Sequence, residues 1–281
     1  MAFSIRYFTP KDADDTARML NESEEGWPGG LTGGAKYTGE RVLDWIKSVR
    51  SFAPLVAESE GRIVGICIVT EHYEDEEAAY IEFLNVHPDF RGRGIGRSLL
   101  LRAIGESAMH GYRRVDLHTW SGNINAVPLY KKVGFFWVPR TNVYMQNYIP
   151  ALLSHPLAGA FMEKHGLSHP SWYGRLERKL DLSEDDYVVE GLKAFPYKFR
   201  IGEEELIVVV DREARDISTV ETPWLKVKLR VEEQDAPAGF PQRATWTVEN
   251  KGEKPLNVKV KVDYAEDIVV GPVHPAEAVV E

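Results

Sequence analysis

Between Ala79 and Leu100 an extended, largely apolar run passes into a helix through a joint of alternating arginine and glycine, Arg91-Gly92-Arg93-Gly94-Ile95-Gly96-Arg97. Glycines let a backbone approach a ligand closely, and the first N–H groups of the following helix lack intrahelical acceptors. With the helix dipole, such a joint is a site for phosphate or pyrophosphate. Arg91, Arg93 and Arg97 add positive charge. Two common nucleotide loops are excluded. Counted from Gly92, the dinucleotide fingerprint needs glycine at 97, where Arg97 stands, and the Gly-Lys-Ser/Thr triplet of the other does not occur.

Around this joint strands and helices alternate. Phe3–Phe8 is a strand, ended by Thr9-Pro10, after which a helix runs to Asn21 with Thr9 as its cap, Pro10 at its first position and Asp12 in its first turn. A Gly-rich loop, Glu22–Gly34, leads to a helix over Gly39–Val49. Strands follow at Leu55–Glu58, Ile63–Glu71 and Ala79–Val86. The helix Arg97–His110 stops at Gly111, and the strand Val115–Thr119, the helix Ala126–Val133 and strands at Phe135–Val138 and Val143–Tyr148 close the unit. Pro128 is tolerable in that helix if it lies in the first turn. Ala151–His165 reads as one helix despite Pro156, and Gly166–Gly174 as a loop. From 186 onward the period changes to two. Leu225-Lys-Val227-Lys-Leu229-Arg-Val231 alternates polar with apolar, and short strands at Phe195–Ile201, Leu206–Asp211, Ala244–Asn250 and Leu256–Asp263 are separated by close turns. The fold class expected is α+β, a mixed sheet flanked by helices over 1–148, a helical connector over 149–185, and a smaller all-β, Ig-like sandwich over 186–281. Trp224 and Trp246 read as core of that sandwich. Ala278-Val279-Val280 reads as a last strand or as the cut end of a longer protein.

Composition narrows the class of partner. A net charge of −9 argues against non-specific nucleic-acid binding, which neutralises phosphates with Lys and Arg. The start of the chain has neither the basic residues nor the apolar stretch of a signal peptide, and no apolar run reaches the ~18 residues of a membrane span. The chain is expected to be cytoplasmic. The single cysteine, Cys67, lies in the apolar run Ile63–Val69 and reads as a small buried hydrophobe. Nothing in the C-terminal half resembles a metal cluster or a nucleophile arrangement.

The joint resembles the acetyl-CoA-binding motif of the GNAT superfamily of N-acetyltransferases, Gln/Arg-x-x-Gly-x-Gly/Ala, present as Arg91-x-x-Gly94-x-Gly96 after the strand ending Leu84-Asn85-Val86-His87-Pro88. A second stretch, Asn123-Ile-Asn-Ala126-Val-Pro-Leu129-Tyr130-Lys-Lys-Val-Gly134-Phe135, is similar to the family's Asn-x-x-Ala-x-x-Leu-Tyr-x-x-x-Gly-Phe. The resemblance covers about residues 3 to 148. It implies an acetyl-CoA-dependent enzyme that transfers acetyl directly to a primary amine, on a small molecule or on a protein N-terminus or lysine. It implies that the loop Arg91, Gly92, Arg93, Gly94, Ile95, Gly96, Arg97 and Ser98 holds the pyrophosphate of coenzyme A. Main-chain groups of Leu84 and Val86 would orient the pantetheine arm and acetyl carbonyl, and Asn123 would touch the cofactor.

The chemistry requires a neutral amine that loses a proton and a thiolate that gains one. By the resemblance Tyr130 is the general acid. The base is Glu82 or His118, the latter a side chain that titrates near neutrality. The acceptor side falls to the loop after the first helix, where Glu24 and Glu25 beside Trp27 would suit a protonated amine. A different reading makes the chain a CoA-binding sensor whose working part is the sandwich. That domain is otherwise a packing, homodimerisation or substrate-presenting module.

Overall fold

The computed structural model describes residues 2–24, 27, 29–231, 243–259 and 277–280. It divides into two compact units, Met1–Asp186 and Tyr187–Glu281. The first contains β1 (Ser4–Tyr7), α1 (Ala13–Asn21), α2 (Gly39–Ser48), β2 (Ala53–Ser59), β3 (Arg62–Glu71), β4 (Ala78–Val86), α3 (Ile95–Met109), β5 (Arg114–His118), α4 (Ala126–Lys132), β6 (Phe136–Trp137), β7 (Tyr144–Asn147), α5 (Ile149–Ser154), α6 (Pro156–Lys164) and β8 (Leu176–Glu177). Strands β1 to β7 form a mixed sheet in the order β1-β2-β3-β4-β5-β7-β6. All neighbours are antiparallel except β4 and β5.

The run Ile63–Val69 explains the layering. All seven residues are buried, so β3 must be covered on both faces. Ile63, Ile66 and Ile68 cluster with Ala17, Met19 and Leu20 of α1 and Val42 of α2. A Cβ on Gly65 would instead meet Ile95 and Leu99 of α3 at 3.2 Å. The two helix layers therefore lie on opposite faces of the sheet. Cys67 is fully enclosed, and burial pushes its thiol up to about 12, which makes it a packing residue.

Prolines set the helix boundaries. Pro10 opens a single 3-10 turn, Pro10–Asp12, that leads into α1. There the Asp12 carboxylate accepts from the Thr9 N–H at 2.7 Å and from the Thr9 hydroxyl at 2.9 Å, while Arg6 donates to it at 2.7 and 2.8 Å. Pro128 is the third residue of α4, where its missing N–H would have had no intrahelical acceptor. The single helix expected over 151–165 is two. α5 ends at Ser154, the His155 ring accepts from the Leu157 N–H at 3.3 Å, and Pro156 begins α6.

The second unit is all β. Its strands β9 (Val188–Val189), β10 (Leu192–Ile201), β11 (Glu204–Asp211), β12 (Asp216–Glu221), β13 (Leu225–Val231) and β14 (Ala244–Asn250) run antiparallel to their neighbours in chain order, and β15 (Leu256–Lys259) pairs with β16 (Glu277–Val280). β12 has no counterpart in the sequence reading, because Asp216-Ile-Ser-Thr-Val-Glu221 is polar for a strand. Residues 260–263, expected to continue β15, lie outside the described residues. Trp224 and Trp246 are half-buried and not core. The alternation on β13 does not separate buried from exposed side chains. Leu225 to Arg230 are all half-buried, because Glu190 pairs with Lys226 at 3.0 Å and Lys228 at 2.6 Å and covers the polar face. Among the described residues no helix is long and apolar enough to cross a membrane.

Arg6 holds the Asp12 carboxyl at about 2, well below its ordinary value. A depressed carboxylate stabilises the fold fully above its unfolded pKa near ~4, and that stability is lost as pH falls through the folded value. Asp12→Asn should therefore cost about 1 kcal/mol at pH 7, a cost that shrinks steadily as pH falls from ~4 toward ~2, read from urea denaturation midpoints.

Candidate active site

The site begins where the sheet comes apart. β4 and β5 pair only from Ala78–Arg114 to Tyr80–Asp116. Beyond these pairs β4 carries a bulge. Val69 faces Ile81 and Ile68 faces Phe83, which leaves Glu82 as the extra residue. From Ile81 to Val86 the edge of β4 toward β5 makes no ladder, so its outward N–H and C=O groups are available to a ligand, apart from the Val86 carbonyl, which accepts from Arg91. A cavity of about 820 Å³ opens at this gap.

At one end of the cavity lies the glycine loop. Gly92 and Gly94 have φ of +74° and +83°, left-handed conformations in which side chains are strained, and Gly94 caps α3. Helical bonding starts with the Ser98 N–H on the Gly94 carbonyl at 3.0 Å. The N–H groups of Ile95, Gly96 and Arg97 consequently precede it without helical acceptors, and α3 has no acidic residue in its first turn. Gly96 serves a different need. A Cβ there would meet Leu129 of α4 at 3.2 Å and Val86 at 3.7 Å, so its absence lets α3, α4 and β4 approach. Arg91 and Arg93 are exposed and aimed back at the loop, donating to the carbonyls of Val86 at 3.1 Å and Asp89 at 2.9 Å.

Most of the expected site residues line this one cavity: Glu82, Leu84, Val86, the loop from Arg91 to Arg97, His118, Asn123, Tyr130 and Trp27. Ser98 does not, and its N–H is already spent on the Gly94 carbonyl. Glu24 does not either. Its carboxylate accepts from the Thr32 hydroxyl and from the Thr32 N–H at 3.2 Å, closing its own loop. Glu25 lies outside the described residues. Among the described residues of the acidic acceptor loop expected from the sequence, Trp27 is the one that lines the cavity.

The candidate acid and bases sit in different surroundings. Tyr130 is only 8% exposed, and burial raises its phenol well above the ordinary range, so it stays protonated. His118 is at the exposed end of β5, and partial burial lowers its pKa below the usual imidazole value, so it is neutral at pH 7. Its Nδ1 is 3.2 Å from the Tyr80 hydroxyl, and its ring lies 4.5 Å from that of Tyr144. Glu82 is exposed on the bulge. Three contributors were not singled out from the sequence: Tyr80, which orients His118, and Phe83 and Trp120, which line the cavity beside Trp27. None has a local signal, because each acts through a neighbour distant in the chain.

Residues 17–135 match the Acetyltransferase (GNAT) family. An uncharacterized N-acetyltransferase of Methanocaldococcus jannaschii is 31% identical over 137 residues, 47% of this chain and 60% of that protein. The mycothiol acetyltransferase of Gordonia bronchialis is 29% identical over 136 residues, 47% of this chain and 44% of its own length. This chain therefore spans about half the length of these relatives. Among solved structures, the PaiA N-acetyltransferase of Thermoplasma acidophilum in complex with coenzyme A is 19% identical, with a TM-score of 0.45, covering 53% of this chain and 99% of that one.

Residues beyond the matched segment reach back to the site. The Arg97 guanidinium lies over the Tyr173 ring, 5.4 Å from its centroid. Lys131, next to Tyr130 on α4, is 2% exposed and donates to Asp181 at 2.9 Å and to the Ser183 carbonyl at 2.7 Å, with Asp185 at 3.1 Å. Asp185 in turn exchanges hydrogen bonds with the backbone of Trp137, accepting at 2.8 Å and donating at 2.9 Å. Segment 181–185 is thereby clamped to the end of α4. Breaking a buried ion pair from one side strands the other charge. Lys131→Met should cost about 3 kcal/mol, measured by chemical denaturation, and Asp181→Asn, at the more exposed partner, markedly less.

Proposed function

We propose that this chain, whose residues 17–135 belong to the Acetyltransferase (GNAT) family, transfers an acetyl group from acetyl-CoA directly to a primary amine. The observation that carries this reading is a single cavity lined by a helix-start glycine loop, an unladdered strand edge, a protonated phenol and a neutral imidazole. Acetyl-CoA, when bound, supplies the thioester and its acyl carbon. The residues present fit it. The free N–H groups of Ile95, Gly96 and Arg97, with Arg91 and Arg93 nearby, suit the pyrophosphate. The open edge of β4 at Leu84 and Val86 offers main-chain partners for the pantetheine amides, and Asn123 lines the same wall.

The chemistry asks for two proton movements. His118 or Glu82 would take a proton from the attacking amine, and the Tyr130 hydroxyl would give one to the departing thiolate and recover it from solvent. His118 is the better supported of the two, since the Tyr80 hydroxyl and the Tyr144 ring adjoin its imidazole, whereas Glu82 has no such side-chain partner among the described residues. A sensor that only bound coenzyme A would have no need of a buried phenol and a held imidazole on one cavity. In this reading residues 1–148 carry the transferase, 149–185 brace α3 and α4 from outside, and 186–281 form a separate all-β module.

Calorimetric titration should give a Kd for acetyl-CoA of about 1–10 μM, weakened at least ~100-fold in Gly94→Trp with an unchanged far-ultraviolet spectrum. Failure of the native protein to bind would remove the reading. Tyr130→Phe should lower kcat by about 100-fold or more while leaving that Kd in place. The acid limb of kcat should fall with a pKa below the ordinary ~6.5 of imidazole, because a lowered pKa keeps His118 unprotonated to lower pH. His118→Ala should abolish that limb. If Glu82→Gln abolishes it instead, the base is Glu82.

A further inference from the structure

The walls of the cavity away from the glycine loop are aromatic. Trp27 stacks on Phe83 with centroids 5.2 Å apart and planes 12° from parallel, and it leans on Trp120 at 5.7 Å. Trp45 of α2 meets Phe83 edge-on at 5.0 Å and holds that ring from behind. The Trp27 indole N–H lies 3.4 Å from Asn85 Oδ1 on β4, a long hydrogen bond that still fixes the side of the ring facing inward. Trp27, Phe83 and Trp120 are each only half-buried, so part of every ring remains open to the cavity.

Charge separates the candidate acceptors further. Among the described lining residues Glu82 is the one carboxylate, whereas Arg91, Arg93, Arg97 and Lys132 are cations. A polyamine needs several carboxylates along its length, and Glu24, the other described candidate, is spent on Thr32. One ammonium group on a flat apolar frame needs one carboxylate and ring faces, which attract both the frame and the cation.

Resting on the acetyltransferase reading, we infer that the acceptor is a small primary amine carried on an aromatic frame, its ring seated among Trp27, Phe83 and Trp120 and its nitrogen beside Glu82 and His118. Selection is then made by the ring, and the amine is positioned by what the ring contacts.

The test is release of free thiol from acetyl-CoA by the full-length protein with 2-phenylethylamine, tryptamine, ethanolamine, putrescine, spermidine and a lysine-containing peptide. The aromatic amines should exceed the others in kcat/KM by at least about tenfold. Trp27→Ala and Trp120→Ala should each raise KM for 2-phenylethylamine about tenfold, and Trp27→Phe should recover most of it. Acetyl-CoA affinity in these variants, measured by calorimetry, should match that of the native protein. Equal or better turnover of spermidine, ethanolamine or the peptide, or equal losses on every amine in the Trp variants, overturns the inference and leaves the transferase reading intact. Acetyl-CoA binding with no acetylation of any of these amines overturns it as well. Absence of acetyl-CoA binding removes both.

Discussion

The parting of β4 and β5 is the constraint on which the site depends. Two adjacent parallel strands would ordinarily satisfy each other along their length, and a gap between them leaves buried polar backbone in need of partners. Here the foot of the gap is held shut. Arg114 donates to Asp116 at 2.7 Å and to Asp75 at 2.8 Å, with both Arg114 and Asp116 buried, and the Tyr144 hydroxyl donates to the same Asp116 carboxylate. Above that lock the Glu82 bulge turns β4 away. The unladdered edge, the phenol of Tyr130 and the imidazole of His118 all come to one cavity because they border this wedge.

The acceptor side illustrates how charge in a loop can mislead. Glu24 and Glu25 in sequence beside Trp27 read as a cation site, yet a carboxylate is equally useful to its own loop. Glu24 closes its turn on Thr32, and Glu22 accepts from Arg18 at 2.9 Å and lies 3.0 Å from the His87 ring. Among the described residues of the loop, the one that reaches the cavity is the apolar Trp27, which stacks on Phe83.

The connector deserves a functional place beside the site. Tyr173 beneath Arg97 and the Asp181–Asp185 clamp on Lys131 come from residues beyond the family match, yet they bear on the first turn of α3 and on the helix that carries Tyr130. A side chain such as Lys131, almost fully buried, is held in place only because two carboxylates and a carbonyl surround it. That arrangement ties the position of α4 to chain that the family pattern does not include.

Much of this was legible along the chain. The apolar run Ile63–Val69 required a strand covered on both faces, the arginine–glycine joint required a tight turn opening a helix, and Asn123–Phe135 placed Tyr130 on a helix ahead of Gly134. The prolines at 10 and 128 mark first turns, whereas Pro156 opens a helix of its own, a break that looks like a kink in sequence. Such features are local, set by φ, by periodicity and by missing N–H groups, so the sequence by itself determined them. Which residues meet across the cavity was decided only by tertiary structure. Tyr80 beside His118, Trp27 on Phe83 and Trp120, and Lys131 among the carboxylates of 181–185 join positions far apart in sequence, and no local preference encodes a partner that arrives only when the sheet and helices have packed.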